Sequence, residues 1–221
     1  MTSYLRPAIE ARVFRDADGQ VIDYGRRWTG SPPEETYSVV SHPERYAPLH
    51  TVADALIAHL RGMYDVDIDD ADEVVAGDLL HQRAEVQRAV RLRPVDAMCA
   101  PLTFVFTTFP GVIVHAGLLH DFAFPICGCD ACDSSWQHEA DELERAVLSV
   151  VSGGYEETLS AGPGLEVGFR LIFPNGSASG QRGAEDVPAD RTEAAATILR
   201  GLPGAWRAWP PRTKPGSASV V

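Results

Sequence analysis

The chain has almost no lysine or asparagine. Among its 221 residues, Lys214 is the only lysine and Asn175 is the only asparagine, so nearly all of the positive charge comes from arginine. The arginines are scattered along the chain, and the formal net charge is −12. A surface field of this sign repels phosphate backbones and anionic lipids, so we expect no binding to nucleic acid or to a membrane. The same field would speed association with a basic protein partner.

Long apolar runs are also missing. No run reaches the ~20 residues that a membrane-spanning helix requires. Residues 1–7 have neither the apolar core nor the cleavage site of a signal peptide. We therefore expect a cytoplasmic protein, in which thiols stay reduced and are available for metal binding rather than held in structural disulfides.

Several well-known catalytic signatures do not occur. There is no nucleophile-elbow pattern, no Walker loop and no Rossmann glycine pattern. His138 and Glu139 resemble the start of a metalloprotease signature, but Glu142 stands where the second zinc-binding histidine is required. The acidic stretch at 65–73 departs from the calcium-binding EF-hand pattern at two required positions, so we interpret it as a solvated acidic loop.

The spacing of apolar residues predicts an α+β fold in which two main helices cover an antiparallel sheet. Apolar positions recur with the helical period over residues 48–62 and 135–152, and a further helix is predicted over 189–200. Alternating and β-branched residues predict strands near 86–93, 102–119, 155–159 and 165–173, of which the first is predicted to be an edge strand.

The strongest strand signal is a hairpin over residues 102–119, whose two halves flank Pro110 and Gly111. If these two residues form the turn, Phe106 lies opposite His115. That register would place His115 on the aromatic face of the hairpin.

The chain is predicted to form one domain with two irregular ends. Residues 1–47 hold one short hairpin and many prolines, which predicts an N-terminal arm pinned down by aromatic side chains. Residues 48–202 contain the main helices and strands and form the single α+β domain. Residues 203–221 are rich in Pro, Gly and Ser and are predicted to be a flexible tail, although Trp206 and Trp209 could dock back onto the body.

Three of the four cysteines, Cys127, Cys129 and Cys132, lie within six residues. The last two have the Cys-x-x-Cys spacing of a zinc knuckle, and Gly128 lets the backbone fold so that Cys127 can reach the same ion. A structural zinc needs a fourth ligand, for which we favour His120. His115, Cys99, Asp130 and Asp133 remain as alternatives, whereas the helical pattern places His138 on the solvent face.

Redox chemistry is the main alternative for these thiols, with inert reduced thiols as the third. A Cys-x-x-Cys pair before a helix favours a reactive thiolate, but the surrounding carboxylates oppose it. The first functional hypothesis is therefore a non-enzymatic binding or interaction protein whose cysteine loop holds a structural zinc. The second is an enzyme or thiol-redox protein whose site lies at the cysteine loop near His115 or His120.

Five phrases of the sequence are distinctive. They are Val13-Phe14-Arg15-Asp16, Val21-Ile22-Asp23-Tyr24-Gly25, His42-Pro43-Glu44-Arg45, Pro48-Leu49-His50 and Cys127-Gly128-Cys129-Asp130-Ala131-Cys132-Asp133. Together they resemble a family of short actinobacterial proteins, a domain of unknown function, and the likeness covers most of residues 4–175. The resemblance implies a bacterial, cytoplasmic protein and carries over no catalytic residue.

Overall fold

A five-stranded antiparallel sheet is the framework on which the rest of the protein packs. The structure is a computed structural model and describes residues 3–71, 75–81, 85–161 and 164–212. Its strands are β1 (Phe14–Arg15), β2 (Val21–Ile22), β3 (Val66–Asp69), β4 (Val86–Pro94), β5 (Leu102–Thr107), β6 (Val112–Ala116), β7 (His120–Phe124), β8 (Tyr155–Ala161), β9 (Leu165–Phe173) and β10 (Gly176–Gly183). Its α-helices are α1 (Pro48–Met63), α2 (Trp136–Val151) and α3 (Ala189–Gly201).

The strands form three antiparallel sheets. The large sheet has the order β3-β4-β5-β6-β7, a smaller sheet has the order β10-β9-β8, and β1 and β2 form the hairpin of the arm. The predicted α+β class is confirmed, and α1 and α2 match the two predicted main helices within about one residue at each end. No helix in the described part of the chain is long and apolar enough to cross a membrane.

One face of the large sheet is covered by α1 and α2. β5 directs Phe104 and Phe106 to this face, where they are buried together with Leu56 of α1 and Leu143 of α2. Each helix presents one apolar stripe, because its apolar residues recur at three- and four-residue intervals. This face forms the main core.

The opposite face of the large sheet is also covered. Val105 of β5 and Ala89 of β4 pack there against Val75 and Leu79 of the segment 75–81. All six residues of β5 are therefore buried, which explains why β5 has a continuous apolar run instead of an alternating pattern.

The register of the β5–β6 hairpin differs from the predicted one. Phe106 pairs with Val112, and His115 pairs with Thr103. The connection is longer than two residues and closes where the Thr107 N–H donates to the Gly111 carbonyl at 3.2 Å. Because the side chains of a strand alternate between faces, this register moves His115 from the aromatic face to the opposite one.

The predicted edge strand is an internal strand. β4 pairs with β5 on one side and with β3 on the other, so β3 forms the edge. β3 comes from the stretch 65–73, which the sequence predicts to be an acidic loop; residues 72 and 73 lie outside the described residues. Asp69 of β3 forms an ion pair with Arg91 of β4 at 3.4 Å. Opposite charges on neighbouring strands thus allow an acidic segment to join the sheet.

Part of the segment predicted to be a flexible tail packs on the body. Trp206 and Trp209 are each 3% exposed. The indole N–H of Trp206 donates to Glu157 Oε2 at 2.9 Å, and that of Trp209 donates to the Ala100 carbonyl at 2.9 Å. The two tryptophans are therefore part of the core, and the Arg212 N–H donates to the Met63 carbonyl at 2.8 Å, while residues 213–221 lie outside the described part.

Candidate metal centre

The cysteine loop connects β7 to α2 and brings three thiols together. The Sγ atoms of Cys127 and Cys129 lie 3.3 Å apart, and those of Cys129 and Cys132 lie 3.5 Å apart. All three sulfurs lie within 4.8 Å of one another. Zinc–sulfur bonds of about 2.3 Å in tetrahedral geometry place sulfurs about 3.8 Å apart, so the spacing suits one ion bound by three thiolates.

Gly128 lies in close contact with an aromatic ring of the sheet. A Cβ atom at this position would lie 2.4 Å from Cζ of Phe109, which is closer than carbon atoms can approach. Phe109 belongs to the β5–β6 connection, so the loop lies directly against the large sheet. The lack of a side chain at Gly128 therefore lets the loop lie close to the ring of Phe109.

The N-terminal arm forms the other side of the loop. The N–H groups of Asp130 and Ala131 donate to the carbonyls of Val39 and Thr36, at 2.7 and 3.1 Å. These backbone hydrogen bonds join segments that are about ninety residues apart in sequence. The arm is thus held by the cysteine loop.

A buried arginine of the arm fastens the loop. Arg45 is 2% exposed, and its Nη2 donates to the Gly128 carbonyl at 2.8 Å. Its guanidinium also lies 4.2 Å from the ring centre of Tyr24 and 4.5 Å from that of Tyr46, within the range of cation–π contacts. Its Nη1 lies 3.5 Å from Asp130 Oδ1, which compensates the buried charge.

A second arginine of the arm binds the end of the loop. Arg27 Nε donates to Asp133 Oδ1 at 2.5 Å, and the Arg27 backbone N–H donates to Asp133 Oδ2 at 2.8 Å. Arg27 Nη2 also donates to the Asp130 carbonyl. Asp130 and Asp133, which are 5% and 7% exposed, are therefore paired with Arg27 and Arg45 and form the junction between arm and loop.

The sequence alone suggested another role for these two aspartates. In the sequence their negative charge is expected to oppose a reactive thiolate, and both are candidates for the fourth metal ligand. Their arginine partners come from the arm, far away in sequence, so spacing within the motif could not reveal them. The high density of arginine and aromatic residues at 24–46 is the available signal for such a junction.

Cys129 and Cys132 differ in how readily their thiols ionise. The pKa of the Cys129 thiol is lowered to about 7, chiefly because the Cys132 backbone N–H donates to its sulfur. The pKa of the Cys132 thiol is raised to about 12, chiefly through its hydrogen bonds with Cys127 and Cys129. The Cys129 thiol therefore ionises more readily than the Cys132 thiol. A bound cation would favour the thiolate form of each of its ligands.

His120 is not brought to the cysteine cluster. His120 is the first residue of β7, whereas the cysteine loop follows the last residue of that strand, Phe124. The two ends are four residues apart, which corresponds to about 13 Å along a strand. His120 Nδ1 lies 3.4 Å from Glu157 Oε1, and its ring packs against Phe169 and Phe122. Among the described residues, the cluster of groups that could hold a metal consists of the three cysteines alone.

The remaining alternatives for a fourth ligand also have other partners or positions. His115 Nδ1 lies 2.7 Å from Asp121 Oδ1, on the face of the sheet turned away from α1 and α2. Cys99 is buried, and its thiol donates to the Ala208 carbonyl at 3.3 Å. His138 is exposed in the first turn of α2. The structure therefore separates the histidines from the thiols, which the second hypothesis placed in one site.

Comparison with known proteins gives a family but no activity. A family of unknown function (DUF6226) matches residues 10–213. No curated protein and no solved structure matches the chain. The match covers the arm, the cysteine loop and the two docked tryptophans, so all of these elements belong to the unit that the family describes.

Proposed function

Since the chain belongs to the family of unknown function DUF6226, we propose a function from its own residues: it is a non-enzymatic binding protein whose cysteine loop holds one structural zinc ion. The observation that carries this proposal is the position of three thiol sulfurs within 4.8 Å of one another. Thiolate ligands select soft or borderline metals such as zinc over magnesium or calcium. A reducing cytoplasm, in an actinobacterial cell as the sequence resemblance implies, keeps the thiols available.

The proposed role of the ion is to hold the loop in the shape that the arm recognises. The carbonyls of Gly128 and Asp130, which accept hydrogen bonds from Arg45 and Arg27, are interleaved with the three cysteines. An ion bound to the sulfurs would fix these carbonyls in place before the arm docks. Three protein ligands leave one coordination position, which water or a group of the bound partner would fill.

Metal analysis tests this proposal directly. Protein purified under reducing conditions should contain about one zinc per chain, and Cys129→Ser should reduce the zinc to less than half of that. Cys99→Ser is the matched control, because this cysteine is buried elsewhere and should leave the zinc content unchanged. A wild-type zinc content below about half an equivalent would refute the zinc site.

Thermal unfolding tests the structural role. Removal of zinc by a chelator should lower the melting temperature of the wild-type protein, because an ion that binds only the folded state stabilises it. The same chelator should not affect Cys129→Ser. A zinc-containing protein whose melting temperature is unchanged by the chelator would show that the ion does not fix the loop.

Thiol-redox function is the second candidate, and the exposure of Cys127 and Cys132 favours it. Their sulfurs lie near Cys129 at distances that a small movement could reduce to a disulfide bond of about 2.05 Å. Metal-free protein that forms a disulfide among these cysteines under a mild oxidant, and recovers with a thiol reductant, would favour this candidate. Protection of the thiols by zinc would favour the first.

The proposed partner is a basic protein, because the net charge of the chain is −12. Opposite charges speed association and are screened by salt. Binding to such a partner should therefore weaken steeply as the salt concentration rises. Binding that is independent of salt would contradict electrostatic recognition and leave the metal site unaffected.

A further inference from the structure

A cavity of about 450 Å³ lies on the face of the large sheet that α1 and α2 leave free. Its walls come from β4, β5 and β6, from the segment 75–81 and from α3. Its volume lies within the range of small-molecule sites, which often form where several elements meet. It is separate from the cysteine loop, which lies beside Phe109 and the arm.

An oriented histidine lines this cavity. His115 is 5% exposed, and its Nδ1 lies 2.7 Å from Asp121 Oδ1. Asp121 is itself held in place, because its Oδ2 accepts the backbone N–H groups of Leu80 and His81 at 2.8 and 3.3 Å. A carboxylate only accepts hydrogen bonds, so the proton of the neutral imidazole lies on Nδ1. Nε2 then carries the lone pair, and no described residue bonds to it.

One arginine of the cavity is already neutralised. Arg91 donates to both carboxylate oxygens of Asp78, from Nε at 2.5 Å and from Nη2 at 2.6 Å. Thr103 Oγ1 also donates to Asp78 Oδ2, at 2.6 Å. This group is a rigid polar wall, because each member is held by at least one other.

Two further arginines of the cavity form no close ion pair with a described carboxylate. Arg93 is exposed at the cavity, and Asp67 lies directly opposite it on β3. Arg191 is half-buried and donates to the backbone carbonyls of Gly77 and Asp78, which fix its position without cancelling its charge. Asp190 also lines the cavity, so Asp67 and Asp190 are the carboxylates with which an anionic ligand would compete for the two guanidinium groups.

We propose that this cavity binds a small ligand bearing a carboxylate or phosphate group. Its anionic group lies between Arg93 and Arg191, and a hydroxyl or N–H group of the ligand donates to Nε2 of His115. Guanidinium groups match the geometry of both oxyanions. Two arginines directed at one cavity are notable in a chain of net charge −12, since most of its surface repels such ligands.

Titration calorimetry and NMR test this site with two probes, inorganic phosphate and succinate. We expect saturable binding of at least one of them to the full chain, with a dissociation constant of about 1 mM or tighter. The imidazole signals of His115 should shift on binding. Arg93→Gln should weaken binding about tenfold or more, because the anionic group loses one guanidinium partner. Arg93 is exposed, so its replacement should leave the fold intact.

Arg61→Gln is the charge-matched control, because Arg61 is exposed on α1, on the other side of the large sheet. It should leave binding unchanged. Binding of phosphate alone or of succinate alone would identify which oxyanion the site takes. No saturable binding of either probe, equal affinity in Arg93→Gln and wild type, or unchanged His115 signals would each overturn the proposal. Cys129→Ser should bind the probe as the wild type does, which separates this site from the proposed zinc site.

Discussion

Replacing Arg45 with methionine tests whether the junction between arm and cysteine loop stabilises the protein. The side chain of Arg45 is 1% exposed, so almost all of its surface is removed from water. Methionine fills a similar length of space without donating a hydrogen bond. The variant therefore removes the charge and the hydrogen bonds while leaving little cavity.

The expected loss follows from the partners that remain. Gly128 loses its hydrogen-bond donor from Nη2, and the His42 carbonyl loses the one from Nη1 at 3.1 Å. Breaking a buried charge pair costs about 3–5 kcal/mol. The Asp130 carboxylate still accepts hydrogen bonds from the Ser41 backbone N–H, at 3.3 Å, and from the Ser41 hydroxyl, so it keeps two donors in the variant. We therefore expect the lower end, about 3 kcal/mol, for the loss in unfolding free energy.

Urea denaturation measures this loss. The midpoint should fall while the slope stays constant, because the variant changes stability and not the surface exposed on unfolding. In a chain of this size, the melting temperature should fall by about 6–12 °C. Arg15→Met is the matched control: Arg15 also donates to one arm carbonyl, at 2.8 Å, but is exposed, so it should lose less than about 0.5 kcal/mol. A loss below about 1 kcal/mol in Arg45→Met would refute the junction as a stabilising element.

Three further substitutions probe the buried polar groups. Gly117→Ala should destabilise the protein by about 2 kcal/mol or more in thermal unfolding. Gly117 has a φ of 66°, and a Cβ there would lie 2.1 Å from Glu157 Oε2. Unchanged stability would contradict this packing. Trp206→Phe removes the donor to Glu157 and should cost about 1–3 kcal/mol by the same assay, whereas a neutral effect would mean that the indole N–H is not needed. Burial raises the pKa of Glu139, so the folded state disfavours the charged form and loses stability as the pH rises through the raised value. Glu139→Gln should therefore be more stable than the wild type at neutral pH and lose that advantage below pH 4, and an advantage that persists in acid would refute burial as the cause.

Local patterns predicted the elements of this fold well and their pairing less well. The strand Leu165–Phe173 was predicted to the residue, because its apolar side chains alternate over nine positions. The β5–β6 register was wrong, because it depended on the length of the connection at Pro110 and Gly111. β3 was missed, because its acidic residues have low strand propensity and are compensated by Arg91, which belongs to another strand.

The candidate sites divide in the same way. By itself, the sequence determined that Cys127, Cys129 and Cys132 come together, since thiols two and three residues apart in a tight loop cannot lie far from one another. It could not decide what surrounds them. Whether a histidine completes the cluster depends on which end of a strand faces the loop, and the structure places His120 at the far end.

Only the tertiary structure decided that the arm closes over the loop and that an arginine-lined cavity lies behind the large sheet. The physical reason is the range of the interactions involved. Helical and strand periodicity are set by neighbouring residues, whereas the contacts of Arg45 with Asp130 and of Arg191 with the Asp78 carbonyl join elements that are far apart in sequence. The three-thiol cluster is thus a property of the local sequence, whereas the contacts of Arg27 and Arg45 with the cysteine loop are a property of the fold.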